Sequence, residues 1–259
     1  MQSIGEIYPP TCQTGYQIYR PVNLVTSLAE LRFFTTPEHD CSYLDGRQAT
    51  TLFVDPAADI DTSTYSALSA VGFRRSGKHI YRPYCGSCTA CIPVRVKVFD
   101  FSRAKKHRRI MRKNTDLVIT EHKPLMTEER FELYERYITE RHADGDMYPA
   151  SVDQFQSFLV EGREEASFWE FRTSEKLLAV AVSDRINDGL SAIYTFFDPS
   201  ESSRSLGVFA ILSLIEQCKR VNLPKLYLGY WIKDCQKMSY KTDYQPLEMF
   251  MDNQWSASS

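Results

Sequence analysis

The punctuation of residues 167–231 leaves few folds open to this chain. Three strand-like runs, Ser167 to Arg172, Leu177 to Arg185 and Leu190 to Phe197, follow one another, with Asp188-Gly189 as a tight-turn signal between the last two. The apolar stretch from Gly207 to Val221 reads as a long helix, and Lys225 to Trp231 as one more strand. Two helices precede this series. Thr127 can cap one that runs to about Arg141, with Glu128 and Glu129 in its first turn and Phe131, Tyr134 and Ile138 on its apolar stripe. Ser151-Val152-Asp153-Gln154 is a capping box ahead of Phe155, Phe158 and Leu159, and Gly162 is its stop.

The order helix, helix, strand, strand, strand, helix, strand resembles the core of the N-acetyltransferase-like acyltransferases. It predicts an α+β chain: a strand-rich N-terminal domain over 1–100 with basic and cysteine motifs, then a mixed sheet with flanking helices over 101–259. In such a core a strand leads through a loop to a helix N-terminus that takes a phosphate-bearing acyl donor. Here the junction runs from Tyr194 through Asp198-Pro199 to Arg204-Ser205-Leu206-Gly207-Val208-Phe209-Ala210. Arg-x-x-Gly-x-x-Ala can turn backbone amides toward a phosphate at the positive helix end; a plain helix cap is the other reading. Further forward, Leu24 to Phe34 is mixed, Ala49 to Val54 is a short strand, and Ser63 to Val71 is helical with Gly72 as its stop. Pro93 to Phe101 alternates, with Val94, Val96 and Val98 on one face and Arg95 and Lys97 on the other. Arg103 to Lys113 is a basic helix, and Leu117 to Thr120 returns as a strand.

Charge carries the next constraint. The 259 residues sum to −2, yet Arg74 to Lys113 holds thirteen basic residues and one acid, Asp100. That window is +12, so the rest of the chain is −14. Such a segment attracts polyanions by releasing their counterions; a merely solvated basic face is the bland alternative. With 43% hydrophobic and 25% charged residues, disorder, collagen and coiled coil are excluded as the main character. No stretch of about 18 apolar residues is present, so no membrane partner is expected. The start, MQSIGEIYPP, lacks the basic and apolar regions of a signal peptide, which predicts a cytoplasmic protein. Seven cysteines, an odd number, then argue against a disulfide framework.

Three blocks are more specific. They run from Gly72 to Leu117 (GFRRSGKHIYRPYCGSCTACIPVRVKVFDFSRAKKHRRIMRKNTDL), from Leu190 to Leu212, and from Leu226 to Pro246 (LYLGYWIKDCQKMSYKTDYQP). Together they resemble the aminoacyl-tRNA–protein transferases of the N-degron pathway, and most of all the bacterial aspartate/glutamate leucyltransferase branch, related to eukaryotic arginyltransferases. The resemblance extends from about Cys41 to Pro246. It implies that the α-amine of a protein beginning with Asp or Glu attacks the ester carbonyl of leucyl-tRNA, marking that protein for degradation. An arginyl-tRNA-dependent transferase of the same family is the alternative donor assignment. A coenzyme A-dependent acetyltransferase and a non-enzymatic RNA-binding protein are further rivals, and the +12 window weighs against the first.

An aminoacyl ester is already activated, and an ordinary α-amine titrates at roughly 7.7–8.0, so positioning can supply most of the rate. What remains is a proton acceptor and donors for the oxyanion. Tyr194, Asp198 and Tyr230 are the candidate catalytic groups, each tyrosine having a buried core role as its alternative. Arg74 and Arg75, with Ser76 and His79, are the candidates for the acceptor's acidic side chain; contact with tRNA phosphate is the other reading. Arg103, Lys105, Lys106, Arg108, Arg109 and Arg112, with Arg204, Ser205 and Gly207, are expected on the tRNA. Trp231, Met238, Tyr240 and Lys241 are candidates for the donor end, or simply core.

Cys85-x2-Cys88-x2-Cys91 has metal-ligand spacing, with Cys41 or Cys12 as a fourth thiolate, so a zinc or iron–sulfur site is one expectation and structural thiols the other. The eukaryotic relatives are thought to use an N-terminal cysteine pair and a later adjacent pair; here Ser42-Tyr43-Leu44 follows Cys41 and no adjacent pair exists. No cofactor is required by the reaction.

Overall fold

The computed structural model describes residues 28–258. Cys12, the N-terminal decapeptide and the start of the Leu24–Phe34 segment lie outside the described residues. The first part of the chain forms β1 (Phe33–Thr35), β2 (His39–Asp40), β3 (Gln48–Ala49), β4 (Thr51–Val54), α1 (Thr62–Ala70), β5 (Arg74–Ser76), β6 (His79–Pro83) and β7 (Ile92–Lys97). There follow α2 (Lys105–Lys113), β8 (Val118–His122), α3 (Glu128–Arg141) and α4 (Val152–Phe155). The chain then runs through β9 (Ala166–Arg172), β10 (Leu177–Ile186), β11 (Gly189–Phe197), α5 (Leu206–Arg220), β12 (Lys225–Trp231), β13 (Leu247–Met251) and β14 (Gln254–Ala257).

The caps expected from sequence at Thr127 and Ser151 are in place: Thr127 accepts from the Arg130 amide at α3, and Ser151 from Gln154 at α4. Asp61, which was not anticipated, accepts from the Thr64 amide at the start of α1. The capping-box segment departs from expectation after one turn: α4 ends at Phe155 and continues as a π-turn over Gln156–Val160.

An eight-stranded mixed sheet runs in the order β14-β13-β7-β12-β11-β10-β9-β8. Alternation along β10 sends Ala179 and Ala181 to one face, against α5, and Val180 and Val182 to the other, against α3 and Phe155. A four-stranded sheet, β1-β4-β6-β5, is tied through Tyr65, Leu68, Phe73 and Ile80 to Ile186 and Tyr227 of the large sheet. The division at residue 100 does not follow the sheets: β7 lies inside the large one, between β13 and β12, and its Val94 and Val96 are core residues. The β13–β14 hairpin that completes this edge was not anticipated from sequence.

One junction positions the site. β11 and β12 are parallel, and they pair only from Gly189↔Lys225 to Ser191↔Tyr227. Beyond that point β11 stays with β10, while β12 stays with β7 through a register shift at Tyr227/Gly229. The two strands therefore part in the middle of the sheet.

Candidate active site

Arg74 fills the opening between the parted strands. It projects from β5, donates Nη1 to Ser191 Oγ at 2.6 Å, and donates Nη2 to the carbonyl of Ala192. On the β12 side it lies against Gly229, whose φ of +77° admits the bulge; a Cβ there would stand 3.3 Å from Arg74 Nε. Among the described residues no carboxylate pairs with Arg74.

Arg75 is turned the other way and is spent. Its Nε and Nη2 grip Asp184 at 2.5 and 2.6 Å, both side chains have no exposure, and Tyr65 donates its hydroxyl to the same carboxylate at 2.7 Å. This corrects the expectation that Arg75 binds an acceptor: alternation along β5 buries it as the clamp between the small sheet and β10. Ser76 and His79 are exposed and line a cleft of about 470 Å³ with Lys78, Met147, Phe158 and Glu161. Lys78 pairs with Glu161 at 3.4 Å at the cleft's edge.

The three expected catalytic groups separate. Tyr230 donates its hydroxyl to the Gly72 carbonyl at 2.8 Å, and burial pushes its pKa well above the ordinary value. It is an anchor between the two sheets, not a base. Asp198 caps the turn at Pro199–Arg204 by accepting from the Ser200 amide and hydroxyl, and it pairs with Lys176 at 3.3 Å. Burial alone would raise its pKa, but the Ser200 and Lys176 hydrogen bonds prevail and hold it below the usual carboxylate range. That carboxylate has no proton affinity to spare for an amine. Tyr194 differs: its hydroxyl is buried and has no hydrogen-bond partner among the described residues, and its ring lies 5.3 Å from that of Phe158 in the cleft wall. Burial, and then Tyr137 and Tyr134, push its pKa up, so the hydroxyl keeps its proton.

The donor-end candidates fall into two groups. Trp231 is half-buried against the core under α5. Met238, Tyr240 and Lys241 lie on the 3-10 segment Gln236–Asp243. Lys241 is buried; its Nζ donates to the Tyr230 carbonyl at 2.5 Å and lies 3.2 Å from Met238 Sδ. Tyr240 is exposed, with its ring 5.9 Å from the same ammonium.

The basic helix is partly neutralised by folding. Arg103 pairs with Glu216 at 3.0 Å and Lys106 with Asp243 at 2.6 Å. Lys105, Arg108, Arg109, Arg112 and Lys113 are exposed and have no carboxylate partner among the described residues. The end of α2 touches the loop before α5: Asn114 donates Nδ2 to the Arg204 carbonyl at 3.0 Å. The positive face and the Arg204–Gly207 loop are thus adjacent. Arg204 itself is not a free phosphate ligand, because Asp116 takes both its Nη atoms at 2.9 Å and Glu201 its Nε at 2.9 Å. Ser205 is in the left-handed region, φ 55° and ψ 50°, and opens α5 without a side-chain cap; Gly207 follows in the first turn.

The metal expectation finds no support. Among the described residues no group of three or more histidine, cysteine, aspartate or glutamate side chains is arranged to hold a metal ion. Cys85 Sγ faces the Thr50 carbonyl at 3.7 Å, and Arg47 lies 3.8 Å from Cys88 Sγ. Burial first, then Cys41, Cys85, Cys88 and Cys235, push the Cys91 thiol up to about 12.

Comparison with known proteins bears on this arrangement. The family models for the N and C termini of arginine-tRNA-protein transferase match residues 39–109 and 129–251. A protein of Alcanivorax borkumensis named aspartate/glutamate leucyltransferase is 56% identical over 91% of this chain and 97% of its own. Relatives of the same name from Pseudomonas aeruginosa and Hahella chejuensis are each 53% identical, over 90% and 89% of this chain and 99% of their own. The chain belongs to the aspartate/glutamate leucyltransferases. The structure of L-PGS from Bacillus licheniformis superposes with a TM-score of 0.43 at 11% identity, covering 65% of this chain and 58% of that one. As a member of this family the chain is an aminoacyl-tRNA–protein transferase. Sequence reasoning missed Gly229, Ser191, Met147 and Phe158. Only Gly229 carried a signal, as a glycine inside the apolar strand Leu-Tyr-Leu-Gly-Tyr.

Proposed function

We propose that the protein transfers leucine from leucyl-tRNA to the α-amine of proteins beginning with Asp or Glu, in the cytoplasm, as an N-degron mark. The observation that carries this reading is 56% identity over nearly the full length of a relative bearing that name. In the reaction the neutral amine attacks the ester carbonyl. A C–N bond forms, the bond to the ribose oxygen breaks, the nitrogen loses a proton and the ribose oxygen gains one. We read the large sheet as N-acetyltransferase-like, with the opening between β11 and β12 as the place of acyl transfer. The exposed cations of α2 hold the acceptor stem by its phosphates. Arg74 takes the acceptor's acidic side chain, which its unpaired guanidinium favours. Tyr194 donates its unspent hydroxyl to the oxyanion. Met147 and Phe158 give the cleft an apolar wall, which suits a leucine side chain better than a guanidinium.

The arginine reading follows from the description of the matching family models. Both readings are tested together by supplying leucyl- and arginyl-tRNA with peptides beginning Asp, Glu and Asn. Leucine on the Asp and Glu peptides, with the Asn peptide a far poorer acceptor, is the expected result; arginine transfer, or equal leucylation of the Asn peptide, overturns the assignment.

A further inference from the structure

Half-buried Arg74 is not the only cation at the β12 bulge. Lys241 reaches the neighbouring residue of the bulge, close enough to Arg74 to feel its charge. Arg74 lies against Gly229, and Lys241 donates to the carbonyl of the next residue, Tyr230. Among the described residues both cations have only neutral partners: Ser191 Oγ and the Ala192 carbonyl for one, the Tyr230 carbonyl and Met238 Sδ for the other. Lys241 is 6% exposed. Burying a charge without a counter-charge is costly, and a second cation beside it more so. The two buried arginines among the described residues show the usual remedy: Arg75 holds Asp184, and Arg130 holds Glu170. Among the described residues the cation pair at Gly229–Tyr230 lacks that remedy, which leaves it able to take a counter-charge from a ligand.

We propose that Lys241 and Arg74 together form the receptor for the carboxylate of the acceptor's first residue, Lys241 being the second specificity-determining residue of the site. This rests on the leucyltransferase reading given above and extends it to a residue not assigned to the acceptor. The consequence is a pH-dependent preference for acidic acceptors. The groups that bear on the Lys241 ammonium are Arg74 from β5, the Tyr230 carbonyl of β12, and Cys235, Met238 and Tyr240 of its own segment. Burial, and then Arg74, push its pKa down to about 7, while Cys235 opposes this weakly. A bound carboxylate favours the protonated form. Acceptor binding is therefore strongest below that pKa and weakens as pH rises through it.

The test is steady-state leucine transfer from leucyl-tRNA to C-terminally amidated peptides that begin with Asp or Asn, from pH 6 to 9, using the full chain. The Asn-to-Asp ratio of KM cancels the titration of the α-amine, which both peptides share. In the wild type this ratio is expected to fall as pH rises through about 7. Lys241→Met is expected to lower the ratio about 10- to 100-fold at pH 6, as for a lost charge-assisted hydrogen bond, and to flatten its pH dependence. Lys241→Arg is expected to restore a high ratio that no longer falls with pH. A pH-independent wild-type ratio overturns the proposal even where a variant fails to fold. So does a Lys241→Met enzyme that keeps the ratio, or that loses kcat equally on both peptides. If the wild type leucylates neither peptide, the reading of the activity itself has failed; if Arg74→Met loses the ratio and Lys241→Met does not, only the role of Lys241 has.

Discussion

Arg74 lies flat against Gly229, so close that a Cβ at residue 229 would stand 3.3 Å from Nε and 3.5 Å from Cζ and Nη2. The glycine is fixed twice, by this approach and by its φ of +77°. Gly229→Ala is expected to cost about 1–2 kcal/mol for the left-handed backbone. It should also push the guanidinium out of the opening and raise KM for acidic acceptors. Thermal unfolding and peptide kinetics on one preparation check both halves.

Arg75 and Asp184 bind the two sheets together, with no exposure of either side chain. Arg75→Ala leaves a buried carboxylate with only the Tyr65 hydroxyl, and is expected to destabilise the fold by about 3–5 kcal/mol. Denaturant unfolding measures this. A variant that unfolds at the wild-type midpoint would show that the pair is not the clamp described.

The unpaired face of α2 predicts the salt dependence of RNA binding. Replacing Lys105, Arg109 and Arg112 together by Gln should weaken tRNA binding and reduce the slope of log K against log salt by about 2–3. Anisotropy of labelled tRNA across a salt series checks it, and the KM for peptide should change little.

Tyr194 is the remaining uncommitted hydroxyl among the three expected catalytic groups. Tyr194→Phe keeps the ring contacts with Tyr134, Tyr137 and Phe158. It is expected to lower kcat about 100-fold or more with KM nearly unchanged, as for loss of one oxyanion donor. Single-turnover transfer separates this from slow product release.

His107 predicts how stability responds to acid. It is buried at the start of α2, stacked on Tyr244 with ring centroids 5.5 Å apart, and its Nε2 has no hydrogen-bond partner among the described residues. Burial, and then Lys106, hold its pKa below the ordinary 6.5. The unfolded chain thus binds the proton first as pH falls. Its contribution to stability is complete above about 6.5 and is lost below that value. Melting temperatures from pH 8 to 5 should decline below pH 6.5, and His107→Phe should remove part of that decline.

Much of the second half was legible because its cues are local. Thr127 and Ser151 cap the helices they were expected to cap, and Lys225 to Trp231 is a strand over its expected length. Gly207 to Val221 and the strands from Ser167 to Phe197 fall within a residue or so of their elements. The β13–β14 hairpin escaped notice because its pairing with β7 joins residues some 150 apart in sequence, as in Leu247↔Val96 and Glu248↔Arg95.

The pair Arg74-Arg75 marks the limit of what residue order can say. Sequence determined that two arginines stand next to each other at the front of a +12 segment, and that a mixed sheet follows; the structure put the two on a short strand. Neighbouring side chains on a strand point to opposite faces, so the two had to have different surroundings. Which one meets Asp184 and which one enters the gap between β11 and β12 was settled only by tertiary packing. Those partners lie 109 and 117 residues further along the chain, and a fully buried cation such as Arg75 needs a counter-charge that only packing can bring to it.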